Sequence, residues 1–427
     1  VKAALSAEQA YLYGLEQHGI KLGLDNIRFL LAQSGNPQDR IPCVHIAGTN
    51  GKGSVAAFLT AILRAAGYRT GLYTSPHLIR VNERIQVNSR PIPDADLDEI
   101  IALHRKNAAA MPHPPTFFEM CTAAAFTCFT RAQADIAVIE VGMGGRFDAT
   151  NVITPLVSVI TTIDFDHMEY LGDTLEAIAG EKAGIIKRGV PLVCGRIAPG
   201  PLAVIQRRAR ELHAPEHLLG QDFHAEMRGD ALAPCLFTGM LGGREIPIGL
   251  VGAHQVDNAA VALRTAQLLQ DRLGMLSAEA MMRGLSMARW PGRMERVLAQ
   301  PPVWMDIAHN PAGARTIAAL GGPWNILLAV SKDKDAPGMI GALAPVAKRF
   351  ILTQYSGARS GGVSWLATAA LRAGVPYEFH ARMEEALAAG LSLAAHDAPL
   401  LVTGSIFAVG EAREVLIKRH GAPDLQF

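Results

Sequence analysis

The chain has 427 residues, 49% of them hydrophobic, and its 40 basic and 39 acidic residues nearly cancel to a formal net charge of +1. That balance excludes the overall basic character of a nucleic-acid or membrane-surface protein, and the length suits two domains better than one core. The five cysteines, Cys43, Cys121, Cys128, Cys194 and Cys235, are odd in number and form no CxxC pair, which argues against a disulfide framework or zinc site and for reduced thiols in the cytosol.

The first 23 residues hold no long apolar run, so no secretory leader is expected there. Strands are predicted at Ile41 to Gly48, Thr70 to Ser75, Asp135 to Gly142 and Leu156 to Ile163, with helices at Ser54 to Ala66 and Thr116 to Phe129. The last of these is the densest apolar stretch, yet it carries Glu119 and several threonines and reads as a buried helix, not a membrane span. Apolar strands alternating with helices predict an α/β fold with a mostly parallel sheet covered on both faces. A second, smaller α/β series begins near Val303, with strands in VWMDIAH, NILLAV, RFILTQ and PLLVTGS. Helices are expected there at Ala312 to Leu320, Val363 to Ala373 and Met383 to Ala394. The run Arg289-Trp290-Pro291-Gly292-Arg293 interrupts the preceding helix, which places the domains at 1–289 and 297–427 with a linker at 290–296.

The strongest local signal is Gly48-Thr49-Asn50-Gly51-Lys52-Gly53-Ser54, set between a strand and a helix. Glycines there let backbone N–H groups crowd around phosphate oxygens, and the helix amino terminus adds positive potential. Lys52 would lie against the β- and γ-phosphates, and Ser54 would reach a phosphate or magnesium. Gly53 separates lysine from serine, so the strict GxxxxGK[ST] pattern is not met. The competing reading is an ordinary glycine-rich turn.

Three other positions carry chemistry on local grounds. Glu140 ends an apolar strand at the sheet edge where such folds bind ligands, and beside a phosphate loop it suits magnesium; alternatively it caps a backbone amide. His167 follows the strand-like ITTIDFD and by itself reads as structural. Lys182, in EKAGI, reads by default as a solvated lysine on a helix.

The loop variant GTNGKGS resembles that of the Mur-ligase superfamily, in particular its folate branch, the dihydrofolate synthase/folylpolyglutamate synthase family. TSPHL (Thr74 to Leu78), NERI (Asn82 to Ile85), TFFE (Thr116 to Glu119) and EVGMGGRFDATN (Glu140 to Asn151) extend the likeness. So do DHMEYLGDT (Asp166 to Thr174), EKAGIIK (Glu181 to Lys187), WPGRME (Trp290 to Glu295), DIAHNP (Asp306 to Pro311) and TGS (Thr403 to Ser405). The strings occur in the family's order over almost the whole chain.

The resemblance implies a phosphate-loop ATPase domain plus a smaller Rossmann-like carboxyl-terminal domain, with the active site between them. It implies that ATP, with Mg2+, phosphorylates the carboxylate of dihydropteroate or of a reduced folate's glutamate tail, and that L-glutamate then displaces phosphate to form an amide. Carried over residue by residue, it implies magnesium ligands at Ser75, Glu140 and His167, and a carbamylated lysine at Lys182 that would serve as an anionic oxygen donor. ATP-binding positions fall on Thr49 to Ser54, Asn258, Arg293 and Asp306. The competing local readings are a helix cap for Asn258 and a surface salt bridge for Arg293, but the place of Arg293 on the hinge favours an arginine that neutralises charge on the transferring phosphoryl group when the domains close. The acid substrate falls to Leu22, Gly23, Leu24 and Asp25, to Thr116, Phe117, Phe118 and Glu119, and to Phe147, Asp148 and Ala149. Phe147 and Met143 stand where the family more often has leucine. His309, Lys332 and Ser405 lie at or just past strand ends facing the expected cleft, where they would hold glutamate or order the nucleotide, or serve as plain turn residues.

A monomeric cytoplasmic enzyme is implied, with neither nucleic acid nor membrane as partner. A muropeptide ligase would need a further amino-terminal domain, and only some forty residues precede the phosphate loop. A folylpolyglutamate synthase without dihydropteroate activity is a second rival. A non-catalytic ATP switch is the third, and it would need the loop but not Glu140, His167, Lys182, Arg293 and Asp306 together.

Overall fold

Strands buried on both faces need apolar side chains at successive positions, and the predicted runs have them. The computed structural model of the chain describes residues 5–19, 21, 23–229, 236–274 and 276–427. Its larger sheet holds β1 (Cys43–Ala47), β2 (Thr70–Tyr73), β3 (Ile85–Val87), β4 (Arg90–Pro91), β5 (Ile136–Glu140), β6 (Val157–Ile160), β7 (Leu192–Cys194) and β8 (Glu216–Leu218), in the order β4-β3-β2-β5-β1-β6-β7-β8. From β2 to β8 the neighbours in that order run parallel, whereas β3 and β4 form an antiparallel edge.

Alternation along β5 divides the core. Ile136 and Val138 face helices Lys52–Ala65, Ala253–Leu273 and Ala278–Met287. Ala137 and Ile139 face helices Asp25–Gln33, Asp94–Ala108 and Phe117–Arg131. Phe58 is fully buried on the first side and Phe129 on the second, and such side chains each contribute about 1.5–3 kcal/mol. The carboxyl ends of β1, β5 and β6 therefore open on one edge, and the phosphate loop leaves from the central one.

A small antiparallel sheet of β9 (Glu226–Arg228), β10 (Leu236–Thr238) and β11 (Ile246–Pro247) packs under the first helix layer through Phe237 and Ile246. The second large sheet holds β12 (Glu295–Leu298), β13 (Val303–Met305), β14 (Trp324–Leu328), β15 (Ala347–Leu352), β16 (Tyr377–Phe379) and β17 (Leu400–Thr403), ordered β12-β13-β17-β14-β15-β16. All its pairings are parallel except that of β12 with β13. Strand β12 was not expected from the sequence, and it takes Glu295 and Arg296 from the 290–296 segment into the second sheet. Gly292 and Met294 adopt positive φ (70° and 43°), which makes the turn between the two units sharp.

Cys43, Cys121, Cys128 and Cys194 are buried and unbonded, and Cys235 lies outside the described residues. Among the described residues no helix is long and apolar enough to cross a membrane.

Candidate active site

The phosphate loop begins where β1 ends. A Cβ at Gly48 would overlap the Thr161 hydroxyl, so only glycine fits this turn, which has φ 147°. The loop is laced to the segment after β6. Thr49 N–H donates to the Thr162 carbonyl (2.8 Å), Asn50 N–H donates to Thr162 Oγ1 (3.0 Å), and Thr161 Oγ1 donates to the Asn50 carbonyl (2.6 Å). Gly51 precedes helix Lys52–Ala65 in the left-handed region and supplies no side-chain cap. The amides of the helix's first turn thus stay open toward a ligand, as an anion site requires. Lys52 arches back, its Nζ donating to the carbonyls of Gly48 (3.0 Å) and Thr49 (3.1 Å). Gly53 lies close under the Trp290 indole, which brings the interdomain segment onto the loop. Ser54 is buried at the helix start.

Lys52 also links the three dispersed side chains. Glu140, the last residue of β5, is 5% exposed. Burial raises its carboxyl, against the opposing pull of Lys52, the Ser75 amide, Arg293 and Arg84. The Ser75 N–H donates to Glu140 Oε2 at 3.3 Å, so the capping alternative is also realised. Lys182 is 4% exposed rather than solvated, and its Nζ donates to the Gly48 carbonyl at 3.0 Å. Burial, and then the like charge of Lys52, pull its ammonium down to about 7. His167 has φ 50° and a side chain 38% exposed; partial loss of water lowers its imidazolium, Asp166 opposes the shift, and Lys334 and Lys52 add to it. The structure thus brings Glu140, His167 and Lys182 within electrostatic reach of one loop lysine.

Sequence reasoning passed over Asp166, a residue that joins the first unit to the second. Asp166 Oδ1 accepts from Lys334 Nζ at 2.6 Å, and Oδ2 faces His309 Nε2 at 3.5 Å and His167 Nε2 at 3.8 Å. Burial alone would raise the Asp166 carboxyl. The contact from His309 and the charges of His167 and Lys334 outweigh it and hold the carboxyl well below the usual carboxylate range. Lys332, the lysine singled out from SKDKD, is exposed, and Lys334 two positions on makes the contact. Asn310 reaches across in the same way, its Nδ2 donating to Asn50 Oδ1 at 3.3 Å. The signal was present, since both residues neighbour chosen ones, but strand-end position alone does not say which of two polar neighbours points inward.

Beside the loop lies a cleft of about 230 Å³ whose lining includes Asn50, Ser54, Asn258, Arg293, Asp306 and His309. Asn258 stands inside helix Ala253–Leu273, which Gly252 caps, so the capping reading fails. Its Oδ1 lies where a Cβ on Gly51 would fall, and its Nδ2 donates to Gln255. Arg293 Nε is buried without a partner, so the surface salt-bridge reading fails too. Asp306 accepts from the amides of Ala308 (2.8 Å) and Met294 (2.9 Å); burial raises its carboxyl and Arg293 opposes. The two carboxylates Glu140 and Asp306 therefore both feel Arg293.

The residues expected to hold the acid substrate divide. Leu22 lies outside the described residues. Gly23 and Leu24 lead into helix Asp25–Gln33, whose first residue, Asp25, is exposed. Thr116 and Glu119 form a reciprocal cap on helix Phe117–Arg131: the Thr116 N–H donates to Glu119 Oε2 (2.7 Å) and the Glu119 N–H to Thr116 Oγ1 (3.2 Å). Phe117 and Phe118 pack inward, against Tyr13 and Tyr73 respectively. Asp148 accepts from Met143 N–H (2.9 Å) and from Thr150 N–H (3.0 Å) and hydroxyl (2.5 Å), and Ala149 is buried. Of this set only Phe147, 44% exposed, offers a free aromatic face. Ser405 is buried, caps helix Ile406–His420 and lies 3.3 Å from Ser331 Oγ.

Comparison with known proteins decides the family. The Mur ligase middle domain matches residues 46–266, and the Mur ligase glutamate ligase domain matches residues 292–406. The dihydrofolate synthase/folylpolyglutamate synthase of Bacillus subtilis is 38% identical over 354 residues, covering 79% of this chain and 82% of that protein. The chain belongs to the Mur ligase family, in its dihydrofolate synthase/folylpolyglutamate synthase branch. The folylpolyglutamate synthase of Mycobacterium tuberculosis, solved with ADP and AMPPCP, superposes with a TM-score of 0.86 at 35% identity, covering 96% of this chain and 98% of that one. Escherichia coli FolC, solved with DHPP and ADP, gives 0.86 at 30% identity and covers 98% and 100%. This Mur ligase is an ATP-dependent, amide-forming enzyme whose relatives join glutamate to folates.

The side chains present suit the nucleotide and metal that such a ligase uses. The uncapped helix start and the glycine cradle accommodate phosphates. Among the described residues no three His, Cys, Asp or Glu side chains gather to form a metal cage. Magnesium needs none, because it is held by one or two carboxylates plus phosphate oxygens and water. Glu140, a buried carboxylate at the strand end, is suited to that role. In this Mur ligase Gly51→Ala should weaken nucleotide binding at least about tenfold. A Cβ there would fall 2.6 Å from Asn258 Oδ1, and the left-handed backbone costs a non-glycine residue about 1–2 kcal/mol. Titration calorimetry with a non-hydrolysable ATP analogue measures it, and an unchanged affinity would show that the loop is not the nucleotide cradle.

Proposed function

We propose that the chain joins L-glutamate to dihydropteroate and to the glutamate tail of reduced folates. The observation that carries this reading is the common reach of Lys52 to Glu140, His167 and Lys182. ATP supplies the γ-phosphoryl group that turns the acid's carboxylate into an acyl phosphate, leaving ADP, and Mg2+ when bound would offset the charge of the phosphates. Lys52 and the amides of Gly51 to Ser54 hold the phosphates, with Asn258 behind the loop and Asp306 beside it. Ser75, Glu140 and His167 hold the metal. Lys182, neutral in part at physiological pH, is open to carbamylation, which would turn its end into an anionic oxygen donor. Arg293, unpartnered on the hinge, neutralises charge on the transferring phosphoryl group.

The cleft then keeps water from the acyl phosphate, whose hydrolysis would waste ATP. Asp166, Lys334, His309 and Asn310 tie the loop side to the second sheet and would hold the cleft shut while the free amine of glutamate attacks the acyl carbon and phosphate leaves. Ser405 lies on the same side and would help seat glutamate. Phe147, with Gly23 to Asp25, lies toward the pterin. In this arrangement residues 1–289 form the ATP-binding unit, 290–296 the hinge and 297–427 the glutamate unit. The enzyme acts as a monomer in the cytoplasm, and neither nucleic acid nor membrane is a partner.

Purified protein with ATP, Mg2+ and glutamate should release ADP when dihydropteroate is added, and again when a reduced folate replaces it. Release with the folate alone would mark a monofunctional folylpolyglutamate synthase. Release with neither acid would overturn the reading.

A further inference from the structure

Three side chains that the proposed nucleotide and metal sites do not use, each from a different motif, meet beside those sites. Arg84, from NERI, is 9% exposed. Its Nε donates to Nδ1 of His77, from TSPHL, at 2.9 Å. Its guanidinium lies over the ring of Phe117, from TFFE, 5.0 Å from the centroid. The planar group is thus fixed on one edge and one face.

What is missing is an anion. The rest of the side chain is packed, but the two Nη nitrogens keep access to solvent, so the open edge of the fork faces water or a ligand and not the core. Among the described residues the two Nη nitrogens have no hydrogen-bond partner, and no carboxylate lies within ion-pair distance. The nearest candidates are committed elsewhere. Glu83 accepts the amides of Leu78 (2.7 Å), Ile79 (2.8 Å) and Arg80 (2.5 Å). Glu140 feels Arg84 but receives the Ser75 amide and borders the phosphate loop.

We infer that Arg84 binds the carboxylate of the acid substrate that is to be phosphorylated, using its free Nη edge as a two-pronged clamp. The position fits that group from both sides. Toward Glu140 lies the region of the metal and the transferring phosphoryl group, which the attacking carboxylate oxygen must approach. On the other side the Phe117 ring, 5.0 Å from the guanidinium, backs one face of the fork, so the group presents its edge. Dihydropteroate bears its carboxylate in the plane of a benzene ring, and a planar fork meets such a carboxylate edge to edge in charge and shape. This inference rests on the proposed acid substrates and names a group that holds their reacting end.

The test replaces Arg84 by methionine, which keeps an apolar stem over Phe117, and by lysine, which keeps the charge but loses the fork. Both variants are compared with the wild type in thermal stability, in direct binding of dihydropteroate and in steady-state kinetics with each acid. In R84M, KM for dihydropteroate and for the reduced folate should both rise by at least about tenfold, while affinity for the ATP analogue stays within about twofold. R84K should recover only part of the loss, and it keeps the question open to measurement if R84M fails to fold. An unchanged KM for both acids overturns the proposal. So does a defect confined to the folate, which would place Arg84 on the tail's other carboxylate, or a defect in nucleotide binding. Direct binding separates the two readings: wild type that binds dihydropteroate without releasing ADP, and loses that binding in R84M, would sink the ligase reaction and leave Arg84 in place.

Discussion

Lys182→Ala is expected to lose at least about 100-fold in turnover while still binding nucleotide, because its role concerns charge developing at the phosphoryl group and not adhesion. The side chain is buried, donates to the Gly48 carbonyl and titrates near 7. An ordinary helix lysine would be charged and solvated. Here the loop lysine and the loss of water make the neutral amine accessible, and the neutral form is the one that adds carbon dioxide. The neutral fraction grows as pH rises through about 7 and shrinks below it. Protein stripped of carbon dioxide should therefore regain activity when carbon dioxide is restored and, at equal dissolved carbon dioxide, do so faster at pH 8 than at pH 6. Short carboxylates such as acetate should restore part of the K182A loss by supplying an oxygen anion to the vacated space. A variant that keeps full turnover would remove Lys182 from the mechanism. An ATP switch without ligase activity would keep its nucleotide response in the same variant.

Glu140→Gln is expected to lose turnover by about 100-fold or more and to need far more magnesium, since one charged oxygen donor is replaced by a neutral amide. The fold should respond in the opposite sense. Burial raises the Glu140 carboxyl above its usual 4.5, so the folded state binds its proton more readily than the unfolded chain does. That contribution to stability is complete below 4.5 and is lost as pH rises through the raised value. At neutral pH without metal the buried carboxylate is thus a cost, and the glutamine variant should melt no lower than the wild type. Activity in the wild type should fall on the acid side as the carboxyl takes up its proton. A variant that melts much lower at neutral pH would mean that Glu140 is a structural cap through its 3.3 Å contact with Ser75.

The parts legible in the sequence are those written in local order. Near-continuous apolar runs such as CVHIA and IAVIE give strands within two or three residues of their observed ends. The glycine spacing from Gly48 to Ser54 marks the loop, because no other residue type tolerates its backbone and close contacts. Strand β12 was missed because Glu295–Leu298 mixes charged and apolar residues and pairs only at a sheet edge. The small sheet β9 to β11 consists of strands too short to show a period. TFFE shows how one motif carries two signals. Its T-x-x-E pattern is a helix-start signal in its own right, and the structure spends Thr116 and Glu119 on that cap. Contacts such as Asp166 with Lys334 join residues 168 positions apart, and nothing periodic along the chain announces them. Arg84 was hidden for the same reason, since its neighbours His77 and Phe117 come from two other motifs.

The account stands on the transfer of phosphate to the acid's own carboxylate at the place where Lys52, Glu140, His167 and Lys182 meet. Dihydropteroate labelled with heavy oxygen in its carboxylate tests this directly when turned over with ATP, Mg2+ and glutamate. One labelled oxygen should appear in the released inorganic phosphate for each amide formed. Phosphate free of label, with both labelled oxygens accounted for outside it, would contradict the acyl phosphate and the arrangement of side chains built around it.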